Sequence, residues 1–251
     1  MLPNPPPRLS VNLNKVALLR NARTIGIPSV PQAARQCLDA GAHGITVHPR
    51  PDQRHIRPED VYELPGVLRD YPEAEYNIEG NPFTGDFMDL VRAVRPDQCT
   101  LVPDDPAQST SDHGWNADQD QQRLQPIIKE LQDLGIRVSL FMDAEPDLIE
   151  GISALHPERI ELYTEPYAAA FGTNAEDAQF QRFSTAAAAA HALGLGVNAG
   201  HDLNLDNLPR FVSISGILEC SIGHALIADA LTYGLANTVQ RYQQALSGQR
   251  P

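Results

Sequence analysis

The amino-acid sequence predicts an α/β fold in which parallel strands close into one barrel. Short apolar or alternating runs recur along the 251 residues, and a segment with helical character follows each of them. Repeated strand-helix units are typical of parallel sheets. Eight such units in a chain of this length, with no linker-like change in composition, match a single (β/α)8 TIM barrel domain over residues 1–251.

The eight predicted strands are followed by segments whose ends carry helix signals. The strands are residues 9–13, 44–48, 75–79, 99–102, 137–141, 160–163, 195–198 and 217–222. The helices lie near residues 30–40, 59–69, 83–94, 117–134, 146–154, 175–193, 204–208 and 224–247. Ser29 can cap a helix that has Pro31 in its first turn, and Gly41, Gly135 and Gly194 stand where helices must end. Residues 1–8 are expected to form a flexible extension.

A doubly wound open sheet is the main alternative fold. That fold usually carries a glycine-rich phosphate loop directly after its first strand. The corresponding segment here, VNLNKVALLRNAR, contains no glycine. The barrel is therefore favoured.

Composition indicates a cytoplasmic globular protein. The chain is 42% hydrophobic and 20% charged, and it has no apolar run long enough to span a membrane. Its N-terminus has no apolar core of a signal peptide. Cys37, Cys99 and Cys220 are widely spaced and form no zinc-ligand motif, which fits a reducing compartment.

The charge is unevenly distributed along the chain. Residues 1–57 contain eight basic and two acidic residues, a net charge of +6, whereas the remainder has 11 basic and 30 acidic residues, or −19. A net charge of −13 argues against non-specific nucleic-acid binding. A basic pocket in an acidic body suits a small phosphorylated ligand, although chance clustering is an alternative.

Polar residues end several predicted strands, and in a barrel those ends form one mouth. The most reactive of them are His48, Glu79, Glu161 and His201. Each has a structural alternative: a core histidine for His48, a turn-stabilising role for His201, and an ion pair with a basic residue for each glutamate. Histidines and carboxylates around a phosphate site can move protons near neutral pH, which is the chemistry of aldol, isomerase and imine-forming enzymes.

Two further possibilities concern the same mouth. His48, Glu79 and His201 could instead bind a divalent metal, but no additional acidic cluster accompanies them, and no metal or cofactor is expected. The long polar loop 103–116 is either a lid over bound substrate or a surface insertion. Thr110, Ser111 and His113 are its candidate contact residues. Glycines at the last two strand ends suggest phosphate binding through backbone N–H groups.

The motifs VNLNKVALLRNAR, AGAHGITVHPRPDQRHI, YNIEG, LVPD, GIRVSLFMDA, GLGVNAGHDL and SIGHALIADAL occur in this order. Together they closely resemble the pyridoxine 5'-phosphate synthase family over residues 9–246. HPRPDQRHI and VNAGH are the most specific segments. The resemblance implies a (β/α)8 barrel that joins 1-deoxy-D-xylulose 5-phosphate with 3-amino-2-oxopropyl phosphate, without a metal or organic cofactor. It also implies a homo-oligomer, an octamer built from dimers.

Residue roles follow from the resemblance alone. His48 and Glu79 match proton acceptors, His201 matches the proton donor, and Glu161 matches the residue that stabilises the transition state. The positions that match contacts to the deoxyxylulose phosphate are Arg50, His55 and Thr110, and those that match contacts to the amino-ketone phosphate are Asn12, Arg23, Gly223 and His224.

The chain departs from the commonest family pattern at a few substrate-contact positions. Asn14 and Lys15 replace an Asp-His pair, Asp202 replaces a glycine, and Tyr163 replaces a histidine. We expect Asn14, Lys15 and Asp202 to contact substrate in place of the residues that are commoner in the family. A sugar-phosphate isomerase or aldolase, and a phosphometabolite-binding barrel without turnover, are the alternative functions.

Overall fold

Eight parallel strands close into a barrel in sequential order, so that the last strand pairs with the first. The computed structural model describes residues 5–105, 107–108 and 110–250. The strands are β1 (Arg8–Asn12), β2 (Gly44–Val47), β3 (Glu75–Gly80), β4 (Gln98–Leu101), β5 (Arg137–Met142), β6 (Arg159–Tyr163), β7 (Gly196–Gly200) and β8 (Ile217–Ile222). The predicted single-domain (β/α)8 barrel is confirmed, and each strand end lies within two residues of its predicted position.

Helices surround the barrel. They are α1 (Asn14–Asn21), α2 (Val30–Asp39), α3 (Pro58–Leu68), α4 (Phe87–Val94), α5 (Ala117–Asp133), α6 (Pro146–Ser153), α7 (Glu165–Ala170), α8 (Glu176–Ala192), α9 (Leu208–Phe211), α10 (His224–Tyr233) and α11 (Leu235–Leu246). The α2 helix begins as predicted, because the Ser29 side chain accepts a hydrogen bond from the Gln32 N–H group.

Three helical predictions were wrong. The sequence indicated no helix where α1 and α7 lie: α1 is preceded by Leu13, which provides no side-chain cap, and α7 has only six residues. The single helix expected over residues 224–247 is two helices, α10 and α11. Gly234 separates them because its φ of 76° is incompatible with a continuing right-handed helix.

The N-terminal extension was expected to reach residue 8. Residues 1–4 of that extension lie outside the described residues. Arg8 is the first residue of β1 and pairs in register with Glu219 of β8. Its guanidinium also forms an ion pair of 2.9 Å with Glu75 of β3, so Arg8 belongs to the barrel.

The main apolar core lies between the barrel and the helices. Strand residues such as Val11, Ile45 and Ile78 are fully buried in one continuous cluster that includes residues from the surrounding helices. Trp115 is also fully buried, and its indole N–H donates to the Leu101 carbonyl at 2.8 Å. This bond ties the loop after β4 to the end of that strand.

The alternate strand residues fill the barrel interior with polar side chains. The hydroxyls of Ser10 and Thr46 are 2.7 Å apart, and Asn77 donates to Thr46 at 3.3 Å. Thr100 in turn donates to Asn77 at 3.1 Å. Buried polar groups are stable only when they are hydrogen-bonded. These hydrogen bonds meet that requirement, link neighbouring strands and make the barrel interior polar as far as its mouth.

Among the described residues, no helix combines the length and the apolar character needed to cross a membrane.

Candidate active site

The carboxyl ends of the strands surround a cavity of about 390 Å³. Thirteen of the fourteen residues predicted for the site line it, namely Asn12, Asn14, Lys15, His48, Arg50, His55, Glu79, Thr110, Glu161, His201, Asp202, Gly223 and His224. Arg23 does not, because it lies in the exposed turn that follows α1. Nearly all of the predicted site residues therefore lie together in one cavity at the carboxyl ends of the strands.

His48 lies between two carboxyl groups at the floor of the cavity. Its Nδ1 atom is 3.9 Å from Oε2 of Glu79, and its Nε2 atom is 3.2 Å from Oδ2 of Asp104. The backbone N–H of His48 donates to the Asn14 side chain at 3.0 Å, which holds the end of β2 against the start of α1. His48 is thus not a simple core histidine, since both ring nitrogens face ionisable partners.

Glu79 ends β3 with its carboxyl group buried. Its oxygens are 3.4 to 3.5 Å from Ser221, Asn77 and Asn12, and no arginine contacts them in the described part of the chain. Burial raises the pKa of Glu79 well above its ordinary value, and the neighbouring Glu161 and Asp104 add to the rise. Burial therefore favours the protonated form of the Glu79 carboxyl.

Glu161 projects from β6 toward the same floor. Burial, and then the nearby Glu219, raise the pKa of Glu161 to about 8. Its Oε2 atom is buried and has no hydrogen-bond partner among the described residues. A Cβ atom on Gly200 would lie 2.2 Å from Glu161 Oε1, so any larger residue there would displace the Glu161 carboxyl. Glu161 therefore lines the cavity as a neutral carboxyl near pH 7 and keeps one buried oxygen without a hydrogen bond among the described residues.

His201 follows β7 in an unusual backbone conformation. Its φ is 85°, in the region that non-glycine residues rarely adopt. The Thr164 hydroxyl contacts both the Gly200 carbonyl, at 2.6 Å, and the His201 carbonyl. The imidazole packs against Phe141 and Tyr163, with ring centroids 5.4 and 5.2 Å away. Burial lowers the pKa of His201 to about 4, so the ring is neutral near pH 7.

Cationic groups concentrate on one side of the cavity. Lys15, Arg50 and Arg54 line it together with His55 and Thr110. Burial lowers the pKa of His55 to about 3, and the surrounding positive charges contribute to the shift. His55 Nδ1 accepts a hydrogen bond from the Ile56 N–H at 2.9 Å, so a neutral His55 carries its proton on Nε2 and can donate it.

The start of α10, which follows β8, forms a further part of the cavity lining. Gly223 precedes this ten-residue helix and His224 begins it. A Cβ atom on Gly223 would lie 3.1 Å from Asn12 Cβ, so the two backbones approach closely there. Free N–H groups and the positive end of the helix dipole favour an anion at such a position. Asp202 lies exposed at the rim.

The loop after β4 contributes two of its three candidate residues to the cavity. Thr110 and Ser111 line it, whereas His113 is exposed and lies 2.5 Å from the Asp112 carboxylate. Arg50 and Arg54 both donate to the Gln108 carbonyl, at 3.0 and 2.7 Å. These bonds hold the loop against the cationic side of the cavity.

The described residues form no group of three or more histidine, cysteine, aspartate or glutamate side chains arranged to hold a metal ion. The alternative in which His48, Glu79 and His201 are metal ligands therefore has no geometric support.

Sequence reasoning missed Asp104 and Ser221. Asp104 is three residues beyond β4, in the LVPD segment, and the rule that identified the other strand-end residues would have found it. Ser221 is an inward residue of β8 that contacts Glu79. It carries no recognisable signal, because serine is common in many structural positions.

The sequence matches the family model described as pyridoxal phosphate biosynthesis protein PdxJ over residues 9–248. The chain belongs to the PdxJ family. A relative from Albidiferax ferrireducens, named pyridoxine 5'-phosphate synthase, is 55% identical over 96% of this chain and 97% of its own length. A relative from Brucella abortus with the same name is 52% identical over 97% of this chain and 100% of its own.

Solved structures outside the PdxJ family share only the fold with this chain. Phosphoribosylanthranilate isomerase from Thermotoga maritima aligns with a TM-score of 0.56 at 12% identity, covering 96% of this chain and 99% of its own. The YdjI aldolase from Escherichia coli K12 aligns with a TM-score of 0.61 at 11% identity, covering 96% and 89%. At such low identity, these likenesses support the barrel and say nothing about the reaction.

The raised pKa of Glu161 predicts how stability depends on pH. The folded protein keeps this proton up to about pH 8, whereas the unfolded chain releases it near the ordinary value of 4.5. The folded state therefore binds more protons between these values, and its free energy of unfolding falls as pH rises through this window. Glu161→Gln removes that contribution, so the variant should gain stability relative to the parent between pH 5 and pH 8.

Denaturant unfolding of both proteins across this pH range measures the difference. Glu150→Gln, at an exposed position of α6, is the control and should differ from the parent by a constant amount. A pH-independent difference for Glu161→Gln would show that Glu161 is ionised in the folded protein at neutral pH.

Proposed function

We propose that this PdxJ-family chain is a pyridoxine 5'-phosphate synthase. The reaction condenses 1-deoxy-D-xylulose 5-phosphate with 3-amino-2-oxopropyl phosphate and releases pyridoxine 5'-phosphate, inorganic phosphate and water, by acid-base catalysis in vitamin B6 biosynthesis. The observation that carries the proposal is one cavity that is lined by His48, Glu79, Glu161 and His201 and also by the cations Lys15 and Arg50 and the start of α10. A chemistry that joins two phosphorylated substrates needs that arrangement.

The deoxyxylulose phosphate binds on the cationic side. Arg50 and Lys15 supply positive charge there, the neutral His55 donates through Nε2, and Thr110 adds a hydroxyl. Asn14 supports this side indirectly, because its side-chain oxygen accepts the His48 N–H.

The amino-ketone phosphate binds at the start of α10, against Gly223 and His224. Asn12 lies against Gly223, and Asp202 also lines the cavity. Arg23 is outside the cavity, and its assignment to this substrate stays a prediction from the family resemblance.

The condensation requires a series of proton transfers by the acid-base groups. The amine of one substrate attacks the ketone of the other and forms an imine with release of one water. Loss of protons from carbon, elimination of inorganic phosphate, ring closure and release of a second water then give the pyridine ring. Burial raises the pKa of Glu79, so its carboxylate, once formed, is a stronger proton acceptor, which is the role that the family resemblance gives it.

His201 is neutral in the unliganded protein, and bound phosphate dianions favour its protonated form, which then acts as the donor. Glu161, which lines the same cavity, stabilises charge that develops on the substrates.

Purified protein incubated with both substrates should form a pyridine chromophore and release inorganic phosphate. Glu79→Gln and His201→Asn should each lower turnover by roughly 100-fold or more, the usual scale for losing a general acid or base, with little change in folding. Glu150→Gln is the matched control and should keep parental turnover. Absence of the pyridine product from the parent protein would refute the function. Turnover of a single phosphorylated substrate in an aldolase or isomerase assay would instead support one of the alternative functions.

Lys15 is proposed to bind substrate as a cation, not to form a covalent Schiff base. Two phosphate dianions near it favour the charged ammonium, and the imine nitrogen is available from the substrate's own amine. Lys15→Arg should therefore mainly raise the KM for the deoxyxylulose phosphate, and Lys15→Met should raise it further. Borohydride treatment with that substrate alone should leave Lys15 unmodified by peptide mass analysis, because a reduced adduct would require covalent catalysis.

We further propose that the chain is a cytoplasmic homo-octamer built from dimers. The buried free thiols of Cys37, Cys99 and Cys220 fit a reducing compartment. Large apolar side chains are exposed around α1 and α10, which contact each other, and self-association would cover them. Leu231 is 82% exposed and Ile25 is 66% exposed. Light scattering at micromolar concentration should give the octamer mass, and a monomer would contradict this assembly.

A further inference from the structure

Asp104 is a buried carboxylate at the site that the family resemblance assigns no role. It lies just beyond β4 and is 6% exposed. Its Oδ2 atom accepts a hydrogen bond of 2.8 Å from Arg50 Nη2 and lies 3.2 Å from His48 Nε2. A buried charge persists only when it is paired and hydrogen-bonded, so these contacts determine how Asp104 behaves.

The surroundings of Asp104 hold it firmly in place. Asn81 donates to its backbone carbonyl at 2.8 Å, and the buried Ser111 donates to its side chain. Although burial alone would raise the pKa of Asp104, the contacts with His48, Arg50 and Ser111 reverse the effect and lower it to about 2. Asp104 is therefore ionised at neutral pH, whereas burial favours the protonated form of Glu79 on the other side of the imidazole.

Asp104 and Glu79 face different ring nitrogens of His48 and place different hydrogen-bonding requirements on them. An ionised aspartate can only accept a hydrogen bond, so the His48 nitrogen that faces Asp104 must carry a hydrogen. A neutral imidazole has one N–H, and its other nitrogen is then an unprotonated base. That other nitrogen, Nδ1, is the one that faces Glu79, at 3.9 Å.

We propose that Asp104 is a positioning residue that holds His48 in the Nε2–H tautomer and thereby directs its basic Nδ1 atom toward Glu79 and the substrates. This inference rests on the proposed function, because it gives Asp104 a purpose in the acid-base cycle. The arrangement follows the general logic of a buried aspartate that orients a catalytic histidine. Proton exchange between Glu79 and His48 then needs only a small approach of the two groups.

Asp104 also contacts Arg50, so an effect of Asp104 on His48 must be distinguished from an effect on phosphate binding by Arg50. If it serves His48, Asp104→Ala lowers kcat while the KM for the deoxyxylulose phosphate changes little. If it serves only Arg50, that KM rises and kcat is kept. Arg50→Met provides the contrast, since loss of a phosphate contact raises the KM.

The first experiment reads the tautomer without using activity. Solid-state NMR of unliganded protein labelled with ¹⁵N-histidine distinguishes a protonated Nε2 from a protonated Nδ1, and His48→Gln assigns the His48 signals. The parent should show the Nε2–H form, and Asp104→Ala should shift His48 toward the Nδ1–H form. Asp105→Ala is the matched control, because this adjacent carboxylate is exposed, and it should leave the His48 signals unchanged.

The second experiment measures steady-state kinetics of the same variants. Asp104→Ala should reduce kcat on the order of 10²-fold, with unchanged folding by circular dichroism. A parental Nδ1–H tautomer, an unaltered tautomer in Asp104→Ala, or a loss confined to KM would each overturn the proposal. Failure of the parent protein to make a pyridine product, together with the expected tautomer shift, would refute the proposed function and leave the Asp104–His48 assignment supported.

Discussion

Closure of the parallel sheet is the constraint on which the rest of the molecule depends. When β8 pairs with β1, all eight strands end at the same rim, and their inward residues are brought together regardless of their distance along the chain. Glu79 and Ser221 lie 142 positions apart in sequence and yet contact each other. The apolar residues that alternate with them face the helices and form the core, so one strand pattern provides both stability and a reactive mouth.

Burial at this mouth separates the ionisable groups into two classes. Burial, followed by the effect of neighbouring carboxyl groups, raises the pKa of Glu79 and of Glu161 and favours their protonated forms. Asp104 lies equally deep but is ionised, since Arg50 and His48 contact it directly. Neighbouring carboxyl groups with opposed pKa shifts supply an acid and a charged hydrogen-bond acceptor within one site.

The sequence predicted the barrel and most of the site because both depend on short-range patterns. Strand alternation and the glycines that end helices are visible in short segments of sequence. Because all strands of a barrel end at one rim, residues at the predicted strand ends, such as His48 and His201, could be expected to lie close together. Properties that depend on contacts between distant segments could not be predicted from the sequence. The proton on Glu161 depends on burial and on Glu219 of another strand. Similarly, α1 was missed because tertiary packing of Val16 and Ala17, not a strong cap or apolar periodicity, holds it in place.

The central claim is that the barrel mouth holds protonated glutamic acids beside an ionised aspartate. Infrared spectroscopy of protein labelled with ¹³C-glutamate tests it most directly, because a protonated carboxyl has a carbonyl band distinct from that of a carboxylate. At pH 7 the unliganded protein should show buried protonated bands that are lost one at a time in Glu79→Gln and Glu161→Gln, and the Glu161 band should disappear as the pH rises above about 8. A spectrum at pH 7 in which both glutamates are carboxylates would contradict the account.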